Sequence, residues 1–89
     1  MIELRKIHLQ DEHSPKKAFY TLYLLETEEG YLIRKESGAA GKILDSRTWP
    51  KPSRTDADKM FISIVRRKTN PSRKSSRHYQ IIDRQLTLF

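Results

Sequence analysis

Between Ser53 and Lys68 the apolar residues Ala57, Met60, Phe61, Ile64 and Val65 recur at the spacing of one helical face. The flanks agree with a helix. Pro50 and Pro52 precede two candidate N-caps, Ser53 and Thr55, and Asp56 and Asp58 stand where the helix dipole favours acids. Arg66, Arg67 and Lys68 fall in the last turn, where cations are favoured, and Asn70-Pro71 ends the run. No other stretch of the 89 residues carries such a pattern. A lone amphipathic helix cannot bury its stripe by itself, so strands must supply the second layer.

Strand patterns lie on both sides of it. Ile2–Leu9 alternates but slips a phase between Leu4 and Ile7, which predicts a bulge or a strand end. Ala18–Glu26 is rich in aromatic and β-favouring residues on both faces, as expected where both are partly covered. Thr27–Gly30 reads as a hairpin turn, Tyr31–Glu36 as the returning strand, and Ser37-Gly38-Ala39-Ala40-Gly41 as a tight turn. Ile43–Trp49 reads as a fourth strand ended by Pro50-Lys51-Pro52, and His78–Ile82 as a short last one. The expected fold is α+β: an antiparallel sheet of four to five strands with one amphipathic helix packed on one face. Residues 1–82 would form this domain and 83–89 a tail.

The absence of Cys excludes a disulfide framework and thiolate metal sites, and suits a reducing cytoplasm. No apolar run has the length of a membrane span, and Met1-Ile2-Glu3-Leu4-Arg5 is unlike a signal peptide, so no membrane partner is expected. The net charge of +7 is lopsided. Residues 1–46 carry seven Lys/Arg against eight Asp/Glu, net −1, whereas 47–89 carry eleven against three, net +8. Such an imbalance points to a polyanionic partner, nucleic acid before membrane.

Several residues resemble those of the WGR domain over roughly Leu4 to Ile82. Phe19-Tyr20 with Leu22 and Leu24 is similar to that family's opening strand, and Gly30-Tyr31-x-Ile33 to its next hairpin. Ala57, Phe61 and Lys68 match its helix, and Tyr79 the start of its last strand. The naming motif Trp-Gly-Arg-x-Gly aligns with Ser37-Gly38-Ala39-Ala40-Gly41, which keeps both glycines and lacks the Trp and Arg. In the poly(ADP-ribose) polymerases those two side chains lie against nucleic acid. The resemblance therefore implies the fold more than the family's mode of DNA contact.

Catalysis has little to stand on. His8, His13 and His78 are scattered without metal-ligand spacing, and neither Asp45-Ser46 nor Ser75-Ser76-His78 carries an activating arrangement. No cofactor, small-molecule substrate or enzymatic activity is expected. Basic residues are the stronger signal. The candidate DNA contacts are Lys42, Arg47, Arg54, Lys59, Arg66, Arg67, Arg73, Lys74 and Arg77, interleaved with Ser, Thr and Asn that can donate to phosphate. Arg66 and Arg67 also suit a helix C-terminus with no partner, and Lys68 is placed to cover core with its methylenes. For Trp49 the resemblance implies the core position where the family usually has an aromatic just before the helix, with stacking on a base the alternative.

The last five residues, Gln85-Leu86-Thr87-Leu88-Phe89, resemble the pentapeptide by which bacterial polymerases and repair factors hold the ring-shaped sliding clamp. The resemblance implies clamp contacts through Gln85, Leu86, Leu88 and Phe89 on a displayed tail. The alternative is a further strand using Leu86 and Leu88. The expected protein is a cytoplasmic, nucleoid-associated DNA-binding accessory factor, with RNA an alternative to DNA. The other reading is a protein-interaction module with a basic face and a structural tail.

Overall fold

The computed structural model describes residues 1–11, 14–70 and 79–86, with the backbone alone at 80 and 82–86. Four strands form an antiparallel meander: β1 (Ile2–Gln10), β2 (Phe19–Thr27), β3 (Gly30–Ala39) and β4 (Lys42–Lys51). Helix α1 (Arg54–Thr69) then crosses one face, and the backbone of β5 (Gln80–Leu86) runs antiparallel along the free edge of β1. The sheet order is β4-β3-β2-β1-β5. This is the α+β architecture that the single amphipathic stripe predicts.

The helix forms where its pattern places it. Of the two candidate caps, Ser53 is used: its hydroxyl accepts from the Asp56 backbone N–H at 3.2 Å. At the other end the Thr69 hydroxyl donates to the Val65 carbonyl at 2.8 Å, and Asn70 turns the chain to extended geometry ahead of Pro71. Ala57, Phe61 and Ile64 are buried, with Met60 and Val65 packed beside them. Against them the sheet sets Leu4, Ile7 and Leu9 of β1, Tyr20, Leu22 and Leu24 of β2, and Ile33 of β3. The phase slip in β1 is a bulge between Glu3 and Arg5 in its pairing with β2. It lets Leu4 join the core while Arg5 lies in register with Leu24.

Two strand ends differ from expectation. The turn read over Ser37–Gly41 is narrower, because β3 continues through Ser37, Gly38 and Ala39. Only Ala40 and Gly41 form the loop, at φ 53° and 76° between the paired Ala39 and Lys42, the geometry of a two-residue hairpin with both dihedrals left-handed. Gly38 serves packing: a Cβ there would run into the Lys42 carbonyl oxygen where the β3–β4 register shifts. Ala40 bears the cost of its φ, about 1 kcal/mol, while its N–H donates to the Lys16 carbonyl at 2.6 Å and ties the β1–β2 loop to this hairpin. The other difference is β4, which runs on through Pro50. That is tolerated because β4 is an edge strand, where a missing N–H breaks no ladder.

The last strand also lies later than His78–Ile82. It occupies Gln80–Leu86 and crosses the expected boundary between residues 82 and 83. Gln85 is in register with Lys6 and Leu86 with Arg5.

Phe61, fully buried between helix and sheet, is the largest of the fully buried side chains. Phe61→Ala should cost on the order of 3–5 kcal/mol, a large part of the stability of so small a domain, read as a lowered midpoint in urea. Lys59→Ala, on the exposed side of the same helix, should shift stability by no more than about 0.5 kcal/mol.

Candidate nucleic-acid interface

Reading across the helix-facing side of the sheet from β1 to β4, the first two rows of paired residues change from apolar to polar, whereas the third starts at Arg5 and stays apolar out to Trp49. One row is Leu9, Tyr20, Ser37, Asp45; the next is Ile7, Leu22, Lys35, Arg47; the third is Arg5, Leu24, Ile33, Trp49. The helix lies over the apolar part. Asp58 reaches Arg5 of β1 at 4.0 Å, and the Arg5 guanidinium stands 4.6 Å over the Phe61 ring, which fixes the flank of α1 that faces β1. By the 100° step per residue, Met60, Ser63 and Arg67 lie on the opposite flank, toward β3 and β4. Between that flank and Lys35, Arg47 and Trp49 of the sheet lies the margin of the covered area, a groove only in the sense of the angle between helix and sheet, with Arg67 on its helix side and Lys35 and Arg47 on its sheet side.

Tyr20 is the hub of its upper end. The ammonium groups of Lys35 and Lys68 stand 5.6 and 4.8 Å from its ring centroid, and Lys68 is also 5.8 Å from Tyr79. Tyr79 meets Tyr20 edge-on at 6.1 Å. Burial pushes the Tyr20 hydroxyl above its ordinary value; Arg67 is the strongest charge opposing the rise, Tyr79 and Asp45 add to it, and Arg47 opposes it. Two ammonium groups thus lie against one ring, and the charges of Arg67 and Arg47 are felt at its hydroxyl. The acid among them is Asp45, which is salt-bridged to Lys35 and held below the usual carboxylate range by that hydrogen bond and charge. The Lys35 ammonium also reaches the Ser37 hydroxyl at 3.4 Å.

The sequence-predicted basic residues divide accordingly. Arg47 and Arg67 belong to the groove, Arg47 with its guanidinium 5.1 Å over the Trp49 ring. Lys59, Arg66 and Arg67 cluster with Ile62 and Ser63 along the outer side of the helix. Arg54 is held by Asp58 at 3.2 Å, one turn along the helix, so it is the least available of the set. Lys42 stands apart, exposed beside the β3–β4 loop. Among the described residues, Lys42, Arg47, Lys59, Arg66 and Arg67 enter no ion pair. Arg73, Lys74 and Arg77 lie outside the described residues. Trp49 is partly buried against the core, the placement expected for it, and Lys68 covers two tyrosine rings.

Lys35 and Tyr20 are the groove residues that sequence reading omits. The available signal was alternation: Ile33 and Lys35 share a strand face, so a lysine two residues after a core isoleucine must sit at the margin of the covered area.

The other face of the sheet has no helix on it among the described residues. Here Phe19, Thr21, Tyr23 and Leu25 of β2 lie between Lys6, His8 and Gln10 of β1 and Leu32, Arg34 and Glu36 of β3. His8 stacks on Phe19 with centroids 5.7 Å apart, and its Nδ1 is 2.8 Å from the Thr21 hydroxyl. Lys6 stands 5.5 Å over the Tyr23 ring, and Arg34 pairs with Glu36 at 3.5 Å.

Among the described residues no group of three or more His, Cys, Asp or Glu is placed to hold a metal ion, and no helix is long and apolar enough to cross a membrane. Gln85 and Leu86 are on β5, while Thr87, Leu88 and Phe89 lie outside the described residues. No family model, curated protein or solved structure matches the chain.

Tyr23 should titrate late. Burial, its hydrogen bond to Glu36 and the charge of that carboxylate push its hydroxyl up to about 12. The folded protein therefore holds this proton more tightly than the unfolded chain. The stability so gained is fully present below the ordinary tyrosine value of about 10 and is lost as pH rises from there toward 12. Phenolate absorbance followed through alkaline pH should show late titration, of which Tyr23→Phe removes one tyrosine's share and leaves that of Tyr20.

Proposed function

We propose that the protein is a non-enzymatic DNA-binding accessory factor, recruited to replication or repair through the bacterial sliding clamp. The observation that supports DNA binding best is the basic margin between α1 and β3–β4, where Lys35 and Lys68 lie against the Tyr20 ring, Arg67 and Arg47 act on its hydroxyl by charge, and Asp45 is the acid among them. Arg47 and Arg67, in no ion pair among the described residues, can each form two parallel hydrogen bonds to a phosphate, and Lys59 and Arg66 extend the positive surface over the outer helix. Binding of this kind is driven by phosphate contact and release of counterions, so it is steeply salt-dependent and weakly sequence-selective. The resemblance to the WGR domain bears on the fold more than on this contact, since Ser37 and Ala39 replace the family's Trp and Arg.

Recruitment rests on the pentapeptide resemblance of Gln85, Leu86, Leu88 and Phe89. The pairing of Gln85 and Leu86 with Lys6 and Arg5 adds a condition: a clamp that takes the whole peptide must first peel the end of β5 from β1. That cost keeps the affinity modest, on the order of micromolar. DNA held by the same molecule would offset it through a high effective concentration.

A second reading, a protein-interaction module, is favoured by the β4 edge, where Ile43 is 56% and Leu44 73% exposed beside an unpaired ladder. Duplex titrations separate the two. Affinity should fall steeply with salt, and the double variant Arg47→Glu, Arg67→Glu should weaken every duplex sequence alike. It should also lower the salt slope by about one for each phosphate left without its cation. Reversing Arg73, Lys74 and Arg77 should act in the same direction. Absence of binding at low salt would leave the protein-interaction reading in its place.

Calorimetry with purified clamp tests recruitment. The intact chain should release heat that the double variant Leu88→Ala, Phe89→Ala does not, with DNA affinity unchanged. Equal heats would remove the clamp from the proposal.

A further inference from the structure

On the helix-free face, three ring side chains follow one another over neighbouring positions. Phe19 and Tyr23 are four residues apart on β2, a separation of about 14 Å along the strand. His8 of β1 lies in register with Thr21 between them and stacks on Phe19. All three rings are half-buried, so part of each surface meets solvent. Cations stand beside them. Lys6 lies over Tyr23, Arg34 is its partner across the ladder, and Lys17 shares a shallow groove with His8, Gln10, Phe19 and Gly41. The acid at the centre, Glu36, is already engaged by Arg34 and by the Tyr23 hydroxyl. Gln10 on this face, with Ser46 and Thr48 in register on β4 with Glu36 and Arg34, adds polar groups suited to base edges. Aliphatic residues lie toward the ends of this face, Leu25 and Leu32 at one and Ile43, in register with Gly38, at the other.

We propose that this face binds single-stranded nucleic acid by stacking unpaired bases on Phe19, His8 and Tyr23. Lys6, Lys17 and Arg34 would meet the backbone. The composition selects this occupant. A second protein layer would call for a broad aliphatic surface, whereas separated rings with cations between them match bases joined by phosphates. A duplex is excluded here because its bases already stack on one another and present no free faces to a flat sheet. The site lies on the side of the sheet away from the α1–β4 groove and does not depend on duplex binding there.

Fluorescence anisotropy with the full-length chain tests the proposal. The probes are a labelled oligothymidylate of about fifteen nucleotides, the matching oligouridylate and oligodeoxyuridylate, and an abasic backbone of equal length. The oligothymidylate should bind on the order of ten-fold more tightly than the abasic strand for each ring engaged. The double variant Phe19→Leu, Tyr23→Leu keeps apolar bulk but removes two ring faces, and should abolish most of that difference. Tyr23→Phe, which keeps the ring, should preserve it, and this holds the test open should the leucine variant not fold. Arg47→Glu with Arg67→Glu should leave the difference between the base-bearing and abasic strands intact, even where duplex affinity falls. Equal affinity for oligothymidylate and the abasic strand would overturn the proposal. So would a folded leucine variant with unchanged binding, or a face that takes a protein and no nucleic acid. Oligodeoxyuridylate, which differs from the uridylate only at the 2′ position, assigns the sugar: a preference for the ribose strand identifies RNA as the ligand, and a preference for the deoxyribose strand identifies DNA.

Discussion

One helix is too narrow for this sheet. Strands lie about 4.8 Å apart, so five span roughly 19 Å between outer axes, whereas a helix with its side chains is about 10–12 Å across. α1 therefore covers about half of one face and none of the other. Everything else in the molecule accommodates that shortfall. The strands under the helix carry Ile7, Leu9, Leu22, Leu24 and Ile33, each buried almost completely. The positions beyond its flank carry Ser37, Lys35, Asp45 and Arg47, which a closed core could not hold without large desolvation penalties.

The two uncovered areas solve the same problem with different chemistry. On the helix side the margin is ionic. Cations there lean on aromatic rings, Lys35 and Lys68 on Tyr20 and Arg47 on Trp49, so their stems shield the core while their charges stay at the surface. On the far side, cross-strand pairs hold the surface: His8 with Thr21 and Phe19, Lys6 with Tyr23, Tyr23 and Arg34 with Glu36. Each contributes only tenths of a kcal/mol to about 1 kcal/mol. Together they allow a one-layer face to meet water, which is why Thr21 and Leu25 are nearly buried with no element among the described residues packed above them.

Local pattern was enough for the helix and the hairpin between β2 and β3, and it narrowed the cap to Ser53 or Thr55 and the β1 irregularity to a bulge or a strand end, because each is written in neighbouring residues. It failed where small or special residues sit inside regular structure. Gly38 and Ala39 look like a turn, yet a register shift makes the strand pass through them, and Pro50 looks like a stop although an edge strand tolerates it. The groove was legible only in part. Arg54 could have been set aside from its Asp58 partner four residues on, a pairing that a helix dictates. Lys35, Arg47 and Arg67 act on Tyr20, by contact or by charge, through strand register and helix placement, which are non-local and leave no mark in any single segment.

The proposed division of labour follows from where freedom remains in each surface. In the groove, Arg47 and Arg67 have long side chains and, among the described residues, no ion pair, so they can follow a phosphate backbone whatever its sequence. On the far face the groups are short, ring-shaped and locked to their neighbours. They offer fixed planes rather than reaching charges, and fixed planes discriminate between stacked and unstacked bases. Flexible charges supply affinity without selectivity, and rigid rings supply selectivity with little long-range attraction. A domain with one helix and one sheet has room for both because the sheet has two sides and the helix occupies only part of one.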